Sequence, residues 1–311
     1  MKWPLERVAQ KSATPRQLNC LGKLERRDLP QGFWIVVFFV LFGTPWCLGA
    51  APTDRPTNEE QVDANKLARE VFENEVNALT NDKSLWRYRK LEEDGGKKKL
   101  YVACQTKLGE IERLIAIDGQ PLTPKQQQAE DQRLQKLLSN QDLMRQKYKK
   151  QHEDGEQTLN LMKMFPAAFK FRYEGKQANL IKLKFTPNPN FHPANRPAHV
   201  FHHMEGTILV DAEHKRLVQI EGRLTSDVKF GGGFLGHLDK GGTFLVKQQD
   251  VGSGHWEMTY LDIRINGKVL FFKTLSVKQK EIYSNFQPVP EGITLPQAAE
   301  LLKKDSGRVS S

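Results

Sequence analysis

Polar and apolar positions change their period several times along the chain, and each change marks an element. Val62, Leu67, Val71, Val76 and Leu79 recur at near-helical spacing among charged residues, which predicts an amphipathic helix over 59–80 with one buried stripe. Thr57 or Asn58 supplies its N-cap, with Glu59 and Glu60 in the first turn. Strand-like runs follow at 85–91 and 100–104, separated by the hairpin signal Asp94-Gly95-Gly96. A third strand over 110–117 closes on Asp118-Gly119, and Pro121 and Pro124 then stop extended pairing. Residues 125–164 are dominated by Gln, Lys, Glu and Asp around a minority of Leu, Met and Phe, so two or three surface helices are inserted there.

The strand pattern resumes at 169–173 and 180–185. Residues 186–197 hold four prolines and are a loop. Strands are expected near 199–210, 215–228, 242–249, 255–265 and 268–278, with a last short one near 281–286. Val218, Ile220 and Leu224 alternate with Gln219, Glu221 and Arg223, as do Trp256, Met258 and Tyr260 with Glu257 and Thr259, the period of half-buried antiparallel strands. Asn266-Gly267 is the strongest hairpin signal in the chain. The strands therefore meander, each pairing mainly with its sequence neighbour.

Ahead of all this lies a different pattern. Residues 32–51 carry no charge, their centre is the apolar run 33–42, and Arg26 and Arg27 precede it. This is an export-signal pattern. Gly49, Ala50 and Ala51 offer a cleavage site, so 1–50 reads as a signal peptide with an uncleaved anchor as the alternative, and 51–58 as a polar linker. The chain is expected in the periplasm or cell envelope. Of the formal charge of +10, the leader holds seven Lys/Arg against three Asp/Glu, leaving +6 on the rest. That charge favours approach to anionic membrane surfaces, while no RNP-like motif points to nucleic acid. Cys20 and Cys47 fall in the leader and leave Cys104 alone, so no internal disulfide staples the mature chain and its apolar core must suffice.

The segment from Arg113 to Thr123, the segment from Glu205 to Asp211, the stretch 230–242 and His255-Trp256 follow in an order that resembles the periplasmic lipoprotein-carrier superfamily (LolA-like, with LolB and RseB as relatives). They are most similar to a group of exported bacterial proteins of unassigned function. The resemblance covers 59–288 and implies an α+β fold: a strongly curved antiparallel sheet, a half-barrel, wrapped around a helix, with a helical insert near 122–165. Residues 289–311 are expected to be a short C-terminal helix and a disordered tail. It also implies an apolar concavity that holds a lipid or acylated ligand, for which Phe230, Phe234, Leu235, Trp256, Met258 and Tyr260 are the lining candidates in this chain.

Catalytic constellations are missing from the pattern. Seven of the eight histidines fall between 192 and 255, but on a strand His199 and His203 would share a face and His202 the other, which leaves these three weak metal candidates. The stretch from Phe230 to Gly236 lacks the Gly-Lys-Ser/Thr of a phosphate cradle. No Gly-x-Ser-x-Gly elbow occurs, and Cys104 has no adjacent His or Cys. The expectation is a protein that is not an enzyme, uses no cofactor and binds a lipid or acylated ligand. Two alternatives stand beside it: an envelope interaction or sensor module with a filled core and an unknown protein partner, and a metal-dependent enzyme built on the 192–255 histidines.

Overall fold

The computed structural model describes residues 58–306 except 194, 196 and 270–272. The leader, nearly all of the linker and the tail at 307–311 lie outside the described residues. Thirteen strands among them form one curved, open antiparallel sheet, so the α+β half-barrel class expected from the sequence is the one observed. In chain order the elements are α1 (Asn58–Asn81), β1 (Leu85–Asp94), β2 (Lys97–Thr106), β3 (Gly109–Ile117), β4 (Gln120–Pro121), α2 (Pro124–Ser139), α3 (Gln141–Ala168), β5 (Phe169–Gln177), β6 (Leu180–Pro187), β7 (Met204–Asp211), β8 (Arg216–Leu224), β9 (Val228–Phe230), β10 (Gly236–Leu238), β11 (Thr243–Asp250), β12 (Trp256–Val269), β13 (Lys273–Val289) and α4 (Leu295–Ser306).

The strand order is β4-β3-β2-β1-β13-β12-β11-β8-β7-β6-β5, with β9 and β10 appended at one end of β12. Neighbours in sequence are mostly neighbours in the sheet, but the first long strand pairs with the last, β1 with β13. The two edges, β4 and β5, are consecutive in the chain, and α2 and α3 join them. At about 1.5 Å per residue the 28-residue α3 spans roughly 42 Å.

A free sheet edge presents unpaired backbone groups, and helix side chains satisfy several of them here. On the β3 edge the Glu110 N–H donates to Gln151 Oε1 (3.1 Å), the Leu114 N–H donates to Glu130 Oε1 (2.9 Å), and Arg133 donates to the Glu112 carbonyl (2.6 Å). On the β5 edge the Phe171 N–H donates to Asn65 Oδ1 of α1 (3.0 Å).

Three expectations need correction. Residues 197–203 form a 3-10 turn, and the strand begins only at Met204; the prolines and the His-rich run end extended pairing there. Asn266-Gly267 is not a turn, because both residues lie within β12, opposite Ser276 and Leu275. Gly267 is required for close approach instead, since a Cβ there would stand 2.3 Å from the His237 carbonyl oxygen of β10. Asn266 accepts a hydrogen bond from Ser276 (2.8 Å). Finally, 281–286 is no separate strand but part of the 17-residue β13.

One core lies under α4, where Ala298, Ala299 and Leu302 bury against Val102, Cys104, Ile111 and Ile115 of β2 and β3. This is the outer face of the sheet. The other core lies on the inner face, where α1 and the end of α3 meet β5–β8.

Candidate functional site

The inner face can be followed strand by strand through directly opposed residues. One row runs Tyr173, Leu183, Ile208, Ile220, Val246, Leu261, Glu281, Glu92 from β5 to β1. The next runs Phe171, Phe185, Gly206, Gly222, Phe244, Ile263, Gln279. Both rows are apolar or glycine as far as β12 and turn polar at β13. The concavity thus has an oily half and a charged half.

In the oily half α1 lies against the sheet through Ala64, Ala68, Val71 and Phe72, all buried. Phe72 stacks on Phe165 (centroids 4.5 Å apart), and Phe165 packs in turn on Phe169 (4.4 Å) and Phe185 (5.3 Å). Phe185 and Phe244 occupy the space that a Cβ would need at Gly206 and Gly222. One ion pair fixes the helix along the groove. Glu75, 3% exposed, accepts from Arg216 Nε (2.8 Å) and Nη2 (3.1 Å) and from the Leu217 N–H (2.8 Å).

Two hollows flank α1. At 100° per residue, Asn65 and Arg69 lie on one side of the buried stripe and Leu67 and Glu70 on the other. A hollow of about 550 Å³ on the second side is walled by Ala64, Leu67, Tyr173, Ile181 and Leu183, with Lys66, Glu70 and Lys215 also lining it. A larger one, about 910 Å³, includes Asn65 and Arg69 and runs over the β5 edge.

The charged half was not anticipated from sequence. Lys90, 9% exposed, pairs with Glu112 and lies 5.0 Å from the centroid of the Tyr101 ring. The Tyr88 hydroxyl donates to Glu110 and the Tyr283 hydroxyl to Glu281, to which Gln279 also donates (2.8 Å). Burial alone would pull the Lys90 ammonium down, but Glu112, Glu281 and Glu110 hold it above its ordinary value. Burial raises the Glu110 carboxyl against the pull of Lys90. Burial would also raise Glu112, yet Lys90 keeps it low, and burial lowers Lys147, which reaches this cluster from α3. Both tyrosines are pushed well up by burial and by their carboxylate partners. Most of these groups satisfy one another, Gln279 Oε1 excepted, and they make a wall suited to polar groups rather than to an acyl chain.

At the rim between the halves, His255 Nδ1 lies 2.9 Å from Asp82 Oδ2, and its ring meets Trp86 edge-on (5.6 Å). Nearby Glu257 is pushed up to about 7 by burial and by the Asp82 charge.

The cavity candidates read from sequence are not brought together. The register shifts between Lys247 and Gln248, so Met258 faces Gln248 while Tyr260 faces Lys247. Tyr260, next to the inner pair of Leu261 and Glu281, lies on the outer face, and the extra residue Thr259 interrupts the alternation between it and Met258. Trp256 stacks near Arg216, 5.4 Å from its ring centroid. Phe230 pairs with Gly236, which pairs with Val269, about 36 Å along β12 from Met258 at ~3.3 Å per residue. Phe234 (69% exposed) and Leu235 (45%) lie on the same distant tip.

His199, His202 and His203 all fall in the 3-10 turn; His203 Nδ1 lies 2.7 Å from Ser226 Oγ, and the His202 ring lies beside Phe191. Among the described residues no group of three or more His, Cys, Asp or Glu could hold a metal ion. Cys104 is buried beneath α4, and burial pushes its thiol up to about 11, the setting of an inert core thiol. Among the described residues no helix is long and apolar enough to cross a membrane.

No protein-family model matches the chain, and no curated protein does. Among solved structures, a DUF1329 family protein from Desulfovibrio piger shows a weak likeness, with 9% identity over 78% of this chain and 99% of that one and a TM-score of 0.26.

Proposed function

We propose that this is an exported, non-catalytic protein of the cell envelope that holds the acyl part of a lipid or acylated ligand between α1 and the inner face of β5–β6. The observation that carries the reading is the hollow of about 550 Å³ walled by Ala64, Leu67, Tyr173, Ile181 and Leu183. Its volume falls within the range of small-molecule sites, and five of its eight lining residues are apolar or aromatic. Lys66 and Lys215 beside it suit the anionic end of an amphiphile. Ala64 and Ala68 on the α1 stripe let this part of the helix lie close to the sheet. Export rests on the apolar run at 33–42 with its preceding arginines.

A specific observation also favours a second reading, an interaction module with a filled core: Phe171, Phe185 and Ile208 on the inner face are fully buried by the chain itself. Titration with a fluorescent fatty acid distinguishes the two. Saturable binding that weakens about tenfold or more, ~1.4 kcal/mol, in Ile181→Glu supports the acyl site. No binding, or equal binding by the variant, removes it and leaves the module.

A further inference from the structure

We propose that the hollow of about 910 Å³ over the β5 edge is a binding site for a phosphate-bearing anion. Its charged lining is entirely cationic apart from the titratable His192: Arg69 of α1, Lys170 and Arg172 of β5 and Lys184 of β6, with no Asp or Glu among its walls. Arg69, Lys170 and Lys184 have no carboxylate partner among the described residues. Arg172 has only Glu174, at 3.3 Å, and Lys182 competes for that carboxylate at 3.7 Å.

The sheet supplies a second, independent observation. On the outer face one row of directly opposed residues runs Arg172, Lys184, Thr207, Glu221, Leu245, Asp262, Lys280, Glu93, Lys98. From Asp262 onward opposite charges face each other, which stabilises a ladder. At β5–β6 alone in this row, two cations are directly opposed, an arrangement that costs stability. The whole β5–β6 segment, 169–187, carries five Lys/Arg and one Glu. Local rules broken in this way concentrate at functional sites, where a ligand supplies the missing charge.

The geometry suits a phosphate group. Arg172 and Arg69 each offer a planar fork to two oxygens, from β5 and from α1, and Lys170 and Lys184 offer point charges. Asn188 and Asn190 of the following loop and Thr186 add neutral polar groups to the same walls, which the buried Phe169 and Phe171 also line. The phosphate could belong to a free anion or to a lipid headgroup. This site does not rest on the acyl reading, because the two hollows lie on opposite flanks of α1.

The test uses the full mature chain with inorganic phosphate in one arm and vesicles in the other, phosphatidylglycerol against phosphatidylcholine, at low ionic strength. Saturable phosphate binding, reduced tenfold or more in Arg172→Gln/Lys184→Gln and falling steeply with added salt, places a free anion in the hollow. Binding to phosphatidylglycerol vesicles alone, lost in the same variant, assigns the headgroup. Because the substitution removes a like-charge pair, the variant should melt no lower than the parent; Lys170→Gln, at an exposed position, serves as the second variant. The proposal is overturned if neither probe binds, or if binding persists unchanged in both variants.

Discussion

Glu75→Ala should cost about 3–5 kcal/mol of folding stability, the usual loss when one partner of a buried ion pair is removed. The carboxylate is 3% exposed and receives three hydrogen bonds from Arg216 and Leu217. Truncation would leave the Arg216 guanidinium, only 13% exposed, and the Leu217 N–H without their acceptor. Because these bonds join α1 to β8, the loss should be local as well as global. Amide exchange in 64–81 should speed up more than exchange in β11–β13. Glu75→Gln keeps an oxygen for the Leu217 N–H and should cost less. Urea unfolding combined with hydrogen exchange reads both effects, and a Glu75→Ala variant within about 0.5 kcal/mol of the parent, the scatter of ordinary surface substitutions, would show that α1 is held by something else.

The second large effect is a dependence on pH. Glu257 titrates near 7 in the fold, because burial and the Asp82 charge disfavour its anion, whereas an unfolded chain leaves it near the ordinary 4.5. Between those values the folded state binds the extra proton, so stability falls as pH rises through this window, and the contribution of this group is fully lost above it. The group's cost at pH 8 approaches about 3 kcal/mol. Glu257→Gln should therefore be the more stable protein at pH 8 and match the parent near pH 4. Thermal or urea melts of the pair across pH 4–8 check this, and a difference that does not change with pH would contradict the assignment.

Much of the fold was legible because half-buried strands and amphipathic helices leave a period in the chain. The apolar spacing found α1 to within a residue or two, although the stripe that buries is Ala64, Ala68, Val71, Phe72 and Glu75 while Leu79 stays exposed, and Asp94-Gly95-Gly96 marked the β1–β2 hairpin where the structure has it. Asn266-Gly267 misled for a physical reason: a glycine needed for a tight turn and one needed for backbone approach are identical in sequence, and only the position of β10 over Gly267 separates them. The bulge at Thr259, which interrupts the alternation between Met258 and Tyr260, was equally silent.

The charged half of the concavity shows another limit. Lys90 meets Glu112 across the β1–β2–β3 meander, and Glu281, far away in sequence, joins them only because β1 pairs with β13. One trace did exist. Lys90 continues the alternation Trp86, Tyr88, Lys90, whose first two members are buried, so a lysine stood where the pattern called for an apolar side chain. The cationic hollow left a trace too, in the five basic residues of 169–187, but reading it as a site required the pairing of Arg172 with Lys184.

An acyl chain bearing a photoactivatable diazirine, bound to the protein and irradiated, reports where the chain rests. Labelled peptides should come from 64–70 and 173–183, on the two walls of the α1 hollow. Label confined to the polar outer face around Glu221, Asp262 and Lys280, or no label above that of unfolded protein, would contradict a lipid held between the helix and the sheet.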